Sequence, residues 1–195
     1  MTTRLLLVPL LAGCVPVLTS PDSDDSAASD WVDPDNAWDK ATPPSDLVGE
    51  GMNVGQVAPD FVMTDQNGQQ VHLWQFYGSV IIIDVSTMWC APCQKLADEI
   101  CSVQNDYGPQ GFAYLTVLPQ NTVGEIPSQD DLMEWTTDHG VCAPVLADDV
   151  GLGDVLVPDG AFPSLTVINR DMVVVDERIS PAEDGTIREE IEANL

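Results

Sequence analysis

The sequence predicts an α/β fold in which a central mixed β-sheet carries helices on both faces, with an N-terminal β-hairpin and one inserted helix. Two observations lead to this prediction. Residues 80–85 form an unbroken apolar run rich in β-branched side chains, as in a strand buried on both faces. Strand patterns then alternate with helical patterns along the rest of the chain, which is typical of α/β sheets.

The predicted N-terminal hairpin lies just before the buried strand. Two short strand-like segments, 61–64 and 71–74, flank the sequence Asp65-Gln66-Asn67-Gly68. The Asn-Gly pair accepts the positive φ angles that a tight turn requires. We therefore expect an antiparallel hairpin at this point.

The remaining elements follow in chain order. A helix is expected over 91–106, because its apolar residues recur on one face. Ser128 and Asp131 have the spacing of a capping box that opens a helix running to about residue 139. Ser180 and Glu183 have the same spacing ahead of a last helix. Further strands are expected at 112–118, 144–147, 164–169 and 172–176, and the last two form a second hairpin.

The composition is strongly acidic. Six Lys and Arg residues stand against 32 Asp and Glu, which leaves a net charge of −26 in 195 residues. Such a charge repels nucleic acids and anionic lipid surfaces, so a nucleic-acid partner is excluded. A solvated acidic surface is the expected role of these charges, and an acidic binding site for a basic partner is the alternative.

Residues 1–14 have the layout of an export signal, with Arg4 before an apolar run and Ala12-Gly13-Cys14 at its end. The run is far shorter than the roughly 18 residues of a membrane span. The segment Leu11 to Cys14 resembles a bacterial lipobox. The resemblance implies cleavage before Cys14, lipidation of Cys14, and a protein anchored in the cell envelope facing the periplasm. An ordinary secretory leader is the alternative.

Residues 15–50 are predicted to form a disordered tether of Asp, Ser, Pro and Ala, because they lack apolar periodicity. Trp31 and Trp38 are interpreted as isolated aromatics in it, and docking of these two side chains on the domain is the alternative. About 30 flexible residues reach on the order of 30 Å, enough to hold a domain away from a membrane. Residues 51–195 then form one domain, expected to be a monomer.

The sequence Trp89-Cys90-Ala91-Pro92-Cys93 lies where the buried strand meets a predicted helix. Unpaired N–H groups at a helix N-terminus stabilise thiolate over thiol, so Cys90 is the predicted nucleophile. Cys93, one turn later, is predicted to resolve the mixed disulfide. Trp89 either shields the Cys90 sulfur and contacts a substrate, or has only a structural role in packing.

A zinc site and a purely structural disulfide are the alternatives for this pair. A zinc knuckle needs two further ligands at knuckle spacing, whereas His72 and His139 are isolated in sequence. A structural bridge between Cys90 and Cys93 closes too small a loop to stabilise the fold much. We therefore expect neither a metal nor another cofactor.

Asp84 lies six residues before Cys90 in the otherwise apolar run. A carboxylate buried there is costly, so its pKa should rise. A carboxyl group in this position is expected to take the proton from Cys93 during resolution, directly or through water. The alternative is that the strand ends at Asp84 and the carboxylate is solvated.

The run 80–85 followed by the Cys90 to Cys93 motif resembles thioredoxin, whose buried Asp precedes its nucleophilic Cys by the same interval. The order of elements over 54–195 resembles the membrane-tethered TlpA/ResA-like branch, including a helix inserted after the second central strand. The resemblance implies a thioredoxin-like fold and thiol-disulfide oxidoreductase activity on protein thiols and disulfides, with an unidentified electron donor. It also implies a cis-proline at Pro163, in Ala161-Phe162-Pro163-Ser164, and an ordinary turn before the strand is the alternative.

Two departures from the family pattern limit which of the family's functional properties are expected of this chain. TlpA-like members commonly have Asn where this chain has Asp84. Some cytochrome-maturation members place a Glu near the end of the second central strand, where this chain reads Leu118-Pro119-Gln120. A dedicated role in cytochrome c maturation is therefore not expected. Pro92 favours a reducing direction, by resemblance to reducing members with Pro at that position.

Cys101 and Cys142 form a second pair. Cys101 lies eight residues after Cys93 on the same predicted helix, about 12 Å along the axis, which is beyond disulfide range. A structural Cys101–Cys142 bridge is the plausible pairing in an oxidising compartment, and two buried free thiols are the alternative.

Three rival functions remain. Peroxiredoxins share this fold and the Thr three residues before the reactive Cys, here Thr87, but they need a Pro where Ile83 stands. Copper chaperones of the Sco type space their cysteines by three and add a distant His, whereas this chain has only the unsupported His139. A tethered interaction module with an idle dithiol is the third.

Overall fold

The computed structural model describes residues 31–179 and 184–195. The predicted export signal, Cys14 and the Ser180–Glu183 cap lie outside the described residues. Over the part of the chain that is described, no helix has the length and apolar character of a membrane span.

A five-stranded mixed sheet forms the centre of the molecule, in the order β5-β4-β3-β6-β7. The strands are β3 Val80–Thr87, β4 Phe112–Gln120, β5 Val145–Ala147, β6 Ser164–Ile168 and β7 Val174–Ile179. A separate antiparallel hairpin consists of β1 Val62–Thr64 and β2 Gln70–His72. The predicted hairpin and the central buried strand are therefore confirmed.

Helices cover both faces of the sheet, as predicted. They are α1 Ala91–Ala97, α2 Ile100–Tyr107, α3 Gln129–His139, α4 Leu152–Leu156 and α5 Asp184–Asn194, with 3₁₀ turns at Leu73–Phe76 and Gly108–Gln110. One apolar core joins α1, α2, α3 and α5 to the sheet. The hairpin, the first 3₁₀ turn and α4 share a second core on the other face.

Strand β3 is the central strand of the sheet, and every one of its eight residues is buried. It pairs in parallel with β4 and antiparallel with β6, so that Asp84 stands between Thr116 and Leu165 in register. Side chains alternate between faces along a strand, which places Ile82 and Asp84 on the same face as α1. The sheet thus directs Asp84 toward the helix that follows β3.

The predicted helix over 91–106 is two helices in the structure. Helix α1 ends at Ala97 and α2 begins at Ile100. The backbone N–H of Glu99 donates to Leu96 O, an i to i−3 bond that tightens the chain between them. Apolar periodicity continues across this break, so the sequence pattern did not reveal it. Helix α4 is only five residues long and was not predicted from the sequence.

The described part of the predicted tether differs from the expectation, because it packs against the hairpin. Asn36 is buried and donates to Gln70 O at 2.7 Å and to Gln75 Oε1 at 2.9 Å. Trp38 Nε1 donates to Asp65 Oδ2 at 2.7 Å. Specific hydrogen bonds hold the segment 31–50 in place, and a composition poor in periodic apolar residues does not predict such bonds.

Candidate active site

Cys90 and Cys93 are disulfide-bonded at the junction of β3 and α1, with the sulfurs 2.21 Å apart. Cys90 is the N-cap of α1, and its Sγ accepts a hydrogen bond from the Cys93 backbone N–H at 3.3 Å. Pro92 occupies the first turn, where a backbone N–H is not needed within the helix. The same N–H that contacts Cys90 Sγ here would stabilise a thiolate at this sulfur after reduction.

The two cysteines differ in access. Cys93 is fully buried, whereas Cys90 keeps 5% of its surface exposed. A thiol or disulfide arriving from solvent therefore reaches Cys90 first. This difference supports the assignment of Cys90 as the attacking residue and Cys93 as the resolving residue.

Trp89 is half-exposed beside the dithiol. Its Nε1 donates to Gln120 Oε1 at 2.9 Å, at the end of β4. Its ring meets the Phe162 ring edge-on, with centroids 6.0 Å apart. Trp89 is therefore held by a hydrogen bond and an aromatic contact, yet 51% of its surface remains open to a partner.

The Phe162–Pro163 peptide bond is cis, in agreement with the expectation from the family resemblance. The carbonyl oxygen of Phe162 lies 3.6 Å from Cys90 Sγ. The loop before β6 therefore lies directly against the dithiol. Its backbone and the Phe162 ring form one wall of the approach to Cys90.

Asp84 is fully buried, and β3 continues to Thr87, so the alternative of a solvated strand end is wrong. Desolvation by burial raises its pKa from 3.8 to about 7. Hydrogen bonds from Ser86 and Tyr114 act in the opposite direction and limit the rise. The carboxyl group can therefore gain or lose a proton near neutral pH.

Two hydroxyl groups that the sequence analysis did not single out hold this carboxyl group. Ser86 Oγ donates to Asp84 Oδ1 at 2.7 Å, and Tyr114 OH donates to Asp84 Oδ2 at 3.2 Å. Burial and the neighbouring Asp84 raise the pKa of Tyr114 well above its usual value, so Tyr114 stays a donor. Ser86 could have been found by the two-residue strand period, whereas Tyr114 depends on the pairing of β3 with β4.

A third buried hydroxyl lies beside Asp84 in the sheet. Thr116 is the register partner of Asp84 on β4, and its Oγ1 has no hydrogen-bond partner among the described residues. Paired residues of parallel strands face the same side of the sheet, so Thr116 faces the same core as Asp84. This hydroxyl is free to donate or accept a hydrogen bond there.

Cys101 and Cys142 form the second disulfide, with sulfurs 2.07 Å apart and Cα atoms 5.2 Å apart. Of the two arrangements left open by the sequence, the structure contains the bridge. Cys101 lies in the first turn of α2, and Cys142 lies between α3 and β5. No group of three or more potential metal-binding side chains occurs within 31–179 and 184–195.

Two similar proteins carry the name thiol-disulfide oxidoreductase ResA. The one from Bacillus thuringiensis subsp. konkukian is 26% identical over 130 residues, which cover 66% of this chain and 70% of that protein. The one from Geobacillus kaustophilus is 33% identical over 95 residues, 49% of this chain and 51% of its own length.

Solved structures share the fold. A crystal structure of a thiol:disulfide interchange protein DsbE from Chlorobium tepidum matches with a TM-score of 0.62 and 24% identity, covering 74% of this chain and 99% of that one. A thiol-disulfide oxidoreductase from Bacteroides vulgatus matches with a TM-score of 0.59 and 25% identity, covering 74% and 98%. The thioredoxin-like fold is confirmed.

A match to a protein-family model agrees with these similarities. The AhpC/TSA family model covers residues 54–177, which include β3, the dithiol and the cis-proline loop. The chain therefore belongs to the AhpC/TSA family, and within it to the thioredoxin-like TlpA/ResA-like branch.

Proposed function

We propose that the protein is a thiol-disulfide oxidoreductase that exchanges or reduces disulfides of exported proteins through Cys90 and Cys93. The observation that carries this proposal is the unequal burial of the pair, because Cys90 at the N-cap of α1 keeps 5% of its surface exposed and Cys93 keeps none. The attacking sulfur must reach its substrate, whereas the resolving sulfur needs only to reach the attacking sulfur.

The reductive half of the cycle begins from the dithiol. The Cys90 thiolate attacks one sulfur of a substrate disulfide, forms a mixed disulfide and releases the other sulfur as a thiolate. Cys93, once deprotonated, attacks Cys90 Sγ, which breaks the mixed disulfide and releases the second substrate thiolate. Two electrons pass to the substrate, and both released thiolates take up protons. A separate dithiol donor must then reduce the Cys90–Cys93 disulfide.

Asp84 supplies the proton acceptor in this proposal. Its pKa of about 7 leaves a useful fraction of the carboxylate at neutral pH. It belongs to the strand that leads into the dithiol and faces the core that contains Cys93. The carboxylate takes the Cys93 proton, directly or through water, during the resolving step.

Trp89 and the Phe162–Pro163 loop bind the substrate in this proposal. The Trp89 and Phe162 rings contact each other, and the Phe162 carbonyl lies against Cys90 Sγ. An apolar side chain next to the substrate cysteine would pack on the exposed Trp89 ring, while the loop backbone aligns an extended substrate. Lipidation of Cys14 would hold the protein in the bacterial envelope on the periplasmic side.

Mixed-disulfide trapping with the full chain tests this assignment. Cys93→Ser should accumulate a Cys90-linked adduct with a disulfide-bonded model peptide, because the resolving sulfur is absent. Cys90→Ser is its matched control and should form an adduct at least about tenfold more slowly, because Cys93 is enclosed. Equal trapping by both variants would contradict the proposal.

Catalytic turnover of the same peptide with dithiothreitol as donor completes the test. The unmodified chain should reduce the peptide faster than dithiothreitol alone, and either single variant should lose this acceleration. If the chain instead consumes hydrogen peroxide and leaves the peptide disulfide intact, it is a peroxidase.

A further inference from the structure

The second disulfide presents its two sulfur atoms differently. Cys142 is exposed, in the segment between α3 and β5, whereas Cys101 is half-buried at the second position of α2. An attacking thiolate must approach a disulfide sulfur along a free direction, so access favours Cys142. Cys101 is then the sulfur that leaves.

The surroundings of Cys101 suit a leaving thiolate. Asn105, one turn further along α2, donates its Nδ2–H to Cys101 Sγ at 3.5 Å. Cys101 also lies in the first turn of an eight-residue helix, where backbone N–H groups and the helix dipole favour negative charge. A thiol with a lowered pKa leaves faster in thiol-disulfide exchange.

The charged groups around Cys101 come from three elements. Asp98 and Glu99 precede α2, and Asp98 is engaged by His139 Nδ1 of α3 at 2.8 Å. On the other side, Arg188 of α5 donates to Ser102 Oγ at 3.2 Å, next to Cys101 in sequence. Arg188 is itself ion-paired with Asp106 of α2 at 2.7 Å and with Asp184 of α5 at 2.8 Å. The charges beside α2 therefore largely neutralise one another, and it is Asn105 and the helix N-terminus that favour Cys101 as the leaving sulfur.

The fold does not depend on the bridge for its core contacts. Ile100 and Val103 anchor α2 in the core on either side of Cys101, and Val141 and Ala143 do the same around Cys142. Neither Cys101 nor Cys142 belongs to this core, so the core contacts of these four side chains do not include the sulfur–sulfur bond. We therefore expect the domain to stay folded on reduction, which a reversible exchange site requires.

We propose that Cys101–Cys142 is a second thiol-exchange site, attacked at Cys142 by a thiolate from solution, with Cys101 as the leaving group. The attacking thiolate forms a mixed disulfide with Cys142, and the Cys101 thiolate takes up a proton. A second thiolate attacks the mixed disulfide, and Cys142 leaves and is protonated. Two thiols are thereby oxidised to one disulfide, and the protein gains two electrons and two protons.

The test separates this site from Cys90–Cys93. The full chain carrying Cys90→Ser and Cys93→Ser is equilibrated with graded ratios of reduced to oxidised dithiothreitol, alkylated and weighed. The remaining bridge should titrate reversibly, and its half-reduced ratio should lie within about tenfold of the ratio found for Cys90–Cys93 in the unmodified chain. A bridge that stays oxidised at a ratio about a thousandfold higher is only structural, which would overturn the proposal.

Peptide mapping of the unmodified chain gives a readout that needs no variant to fold. After brief exposure to glutathione, the adduct of the second pair should lie on Cys142, with Cys101 found as the alkylated thiol. Adducts on Cys101 alone, or none on either residue, would contradict the assignment. Because the map resolves each cysteine, failure at Cys90 and failure at Cys142 are distinguishable.

Asn105 tests the identity of the leaving group. Asn105→Ala removes the donor to Cys101 Sγ and should slow glutathione attack on the second pair about threefold. Asn105→Asp places a negative charge there and should slow it about tenfold. Asn105 is exposed, so neither change disturbs the core. Identical rates in all three proteins would exclude Cys101 as the leaving sulfur.

Discussion

The carboxylate of Asp84 accepts a hydrogen bond from the Ser86 hydroxyl at 2.7 Å, two residues further along the same buried strand. The pair lies on the strand that ends at the dithiol. A fully buried acid is thus held in one orientation by its own strand and by Tyr114 of the next. In the proposed mechanism, the protonation of this acid links folding stability to thiol chemistry.

Replacement of Asp84 by Asn should change how stability depends on pH. Because the pKa is raised from 3.8 to about 7, the folded state holds a proton that the unfolded chain releases. That contribution is fully present below pH 3.8 and is lost as pH rises through about 7. Asp84→Asn should therefore gain up to about 4 kcal/mol over the parent at pH 8, and little at pH 4.

Urea unfolding of both oxidised proteins at the two pH values measures this difference. Other titrating groups are shared by the two proteins and cancel in the comparison. A stability difference that is the same at pH 4 and pH 8 would show that Asp84 does not titrate between them.

Loss of either hydroxyl donor should raise the pKa of Asp84 further. Ser86→Ala removes the shorter bond and Tyr114→Phe removes the longer one, and both bonds favour the carboxylate. The rising limb of the pH profile for disulfide resolution should move to higher pH, more for Ser86→Ala. Single-turnover rates of mixed-disulfide release measured across pH 5 to 9 provide the readout.

Tyr107→Phe is the matched control for the tyrosine change. Tyr107 lies in the same core, but its hydroxyl donates to Glu192 Oε1 at 2.6 Å and not to Asp84. The pH profile of disulfide resolution in Tyr107→Phe should coincide with that of the parent protein. A shift equal to that of Tyr114→Phe would indicate a general packing effect.

Much of the site could be predicted because its signals are local. The dithiol, the helix start and Asp84 all lie within one short stretch, and the two-residue strand period places Asp84 on a defined face. Tyr114 could not be placed in this way. Its contact with Asp84 depends on the register between β3 and β4, which local periodicity does not specify.

The segment 31–50 shows a second limit of sequence patterns. Its low content of periodic apolar residues predicts disorder. In the structure, however, Asn36 is hydrogen-bonded to Gln75, and Trp38 is hydrogen-bonded to Asp65 of the hairpin turn. Hydrogen bonds between residues more than 25 positions apart leave no periodic signal. The break between α1 and α2 was missed for the related reason that apolar spacing continues across it.

Thr116→Val should stabilise the protein by about 1 kcal/mol, because it removes a buried hydroxyl that lacks a partner among the described residues. Thr136→Val is the comparison, since Thr136 Oγ1 donates to Leu132 O at 2.8 Å and its loss forfeits that bond. In chemical denaturation, Thr116→Val should raise the free energy of unfolding and Thr136→Val should lower it. Destabilisation by Thr116→Val would mean that this hydroxyl has a bonding partner in solution.

Asn36→Ala should destabilise the protein by about 2 kcal/mol, because it removes the hydrogen bonds that the buried Asn36 side chain makes with the Gln75 amide and with Gln70 O. Asp35→Ala, at an exposed neighbouring position, should change stability by less than about 0.5 kcal/mol. Equal, small effects in thermal unfolding would show that the segment 31–50 does not stabilise the domain.

A redox titration of Cys90 and Cys93 decides whether this pair exchanges disulfides. The full chain is equilibrated with graded ratios of reduced to oxidised dithiothreitol, alkylated, digested and weighed peptide by peptide. We expect these two cysteines to titrate together and reversibly, as a two-electron couple, within the range of about −180 to −270 mV found for exchange proteins. A pair that remains oxidised below about −300 mV, or that never forms a reversible disulfide, would contradict this expectation.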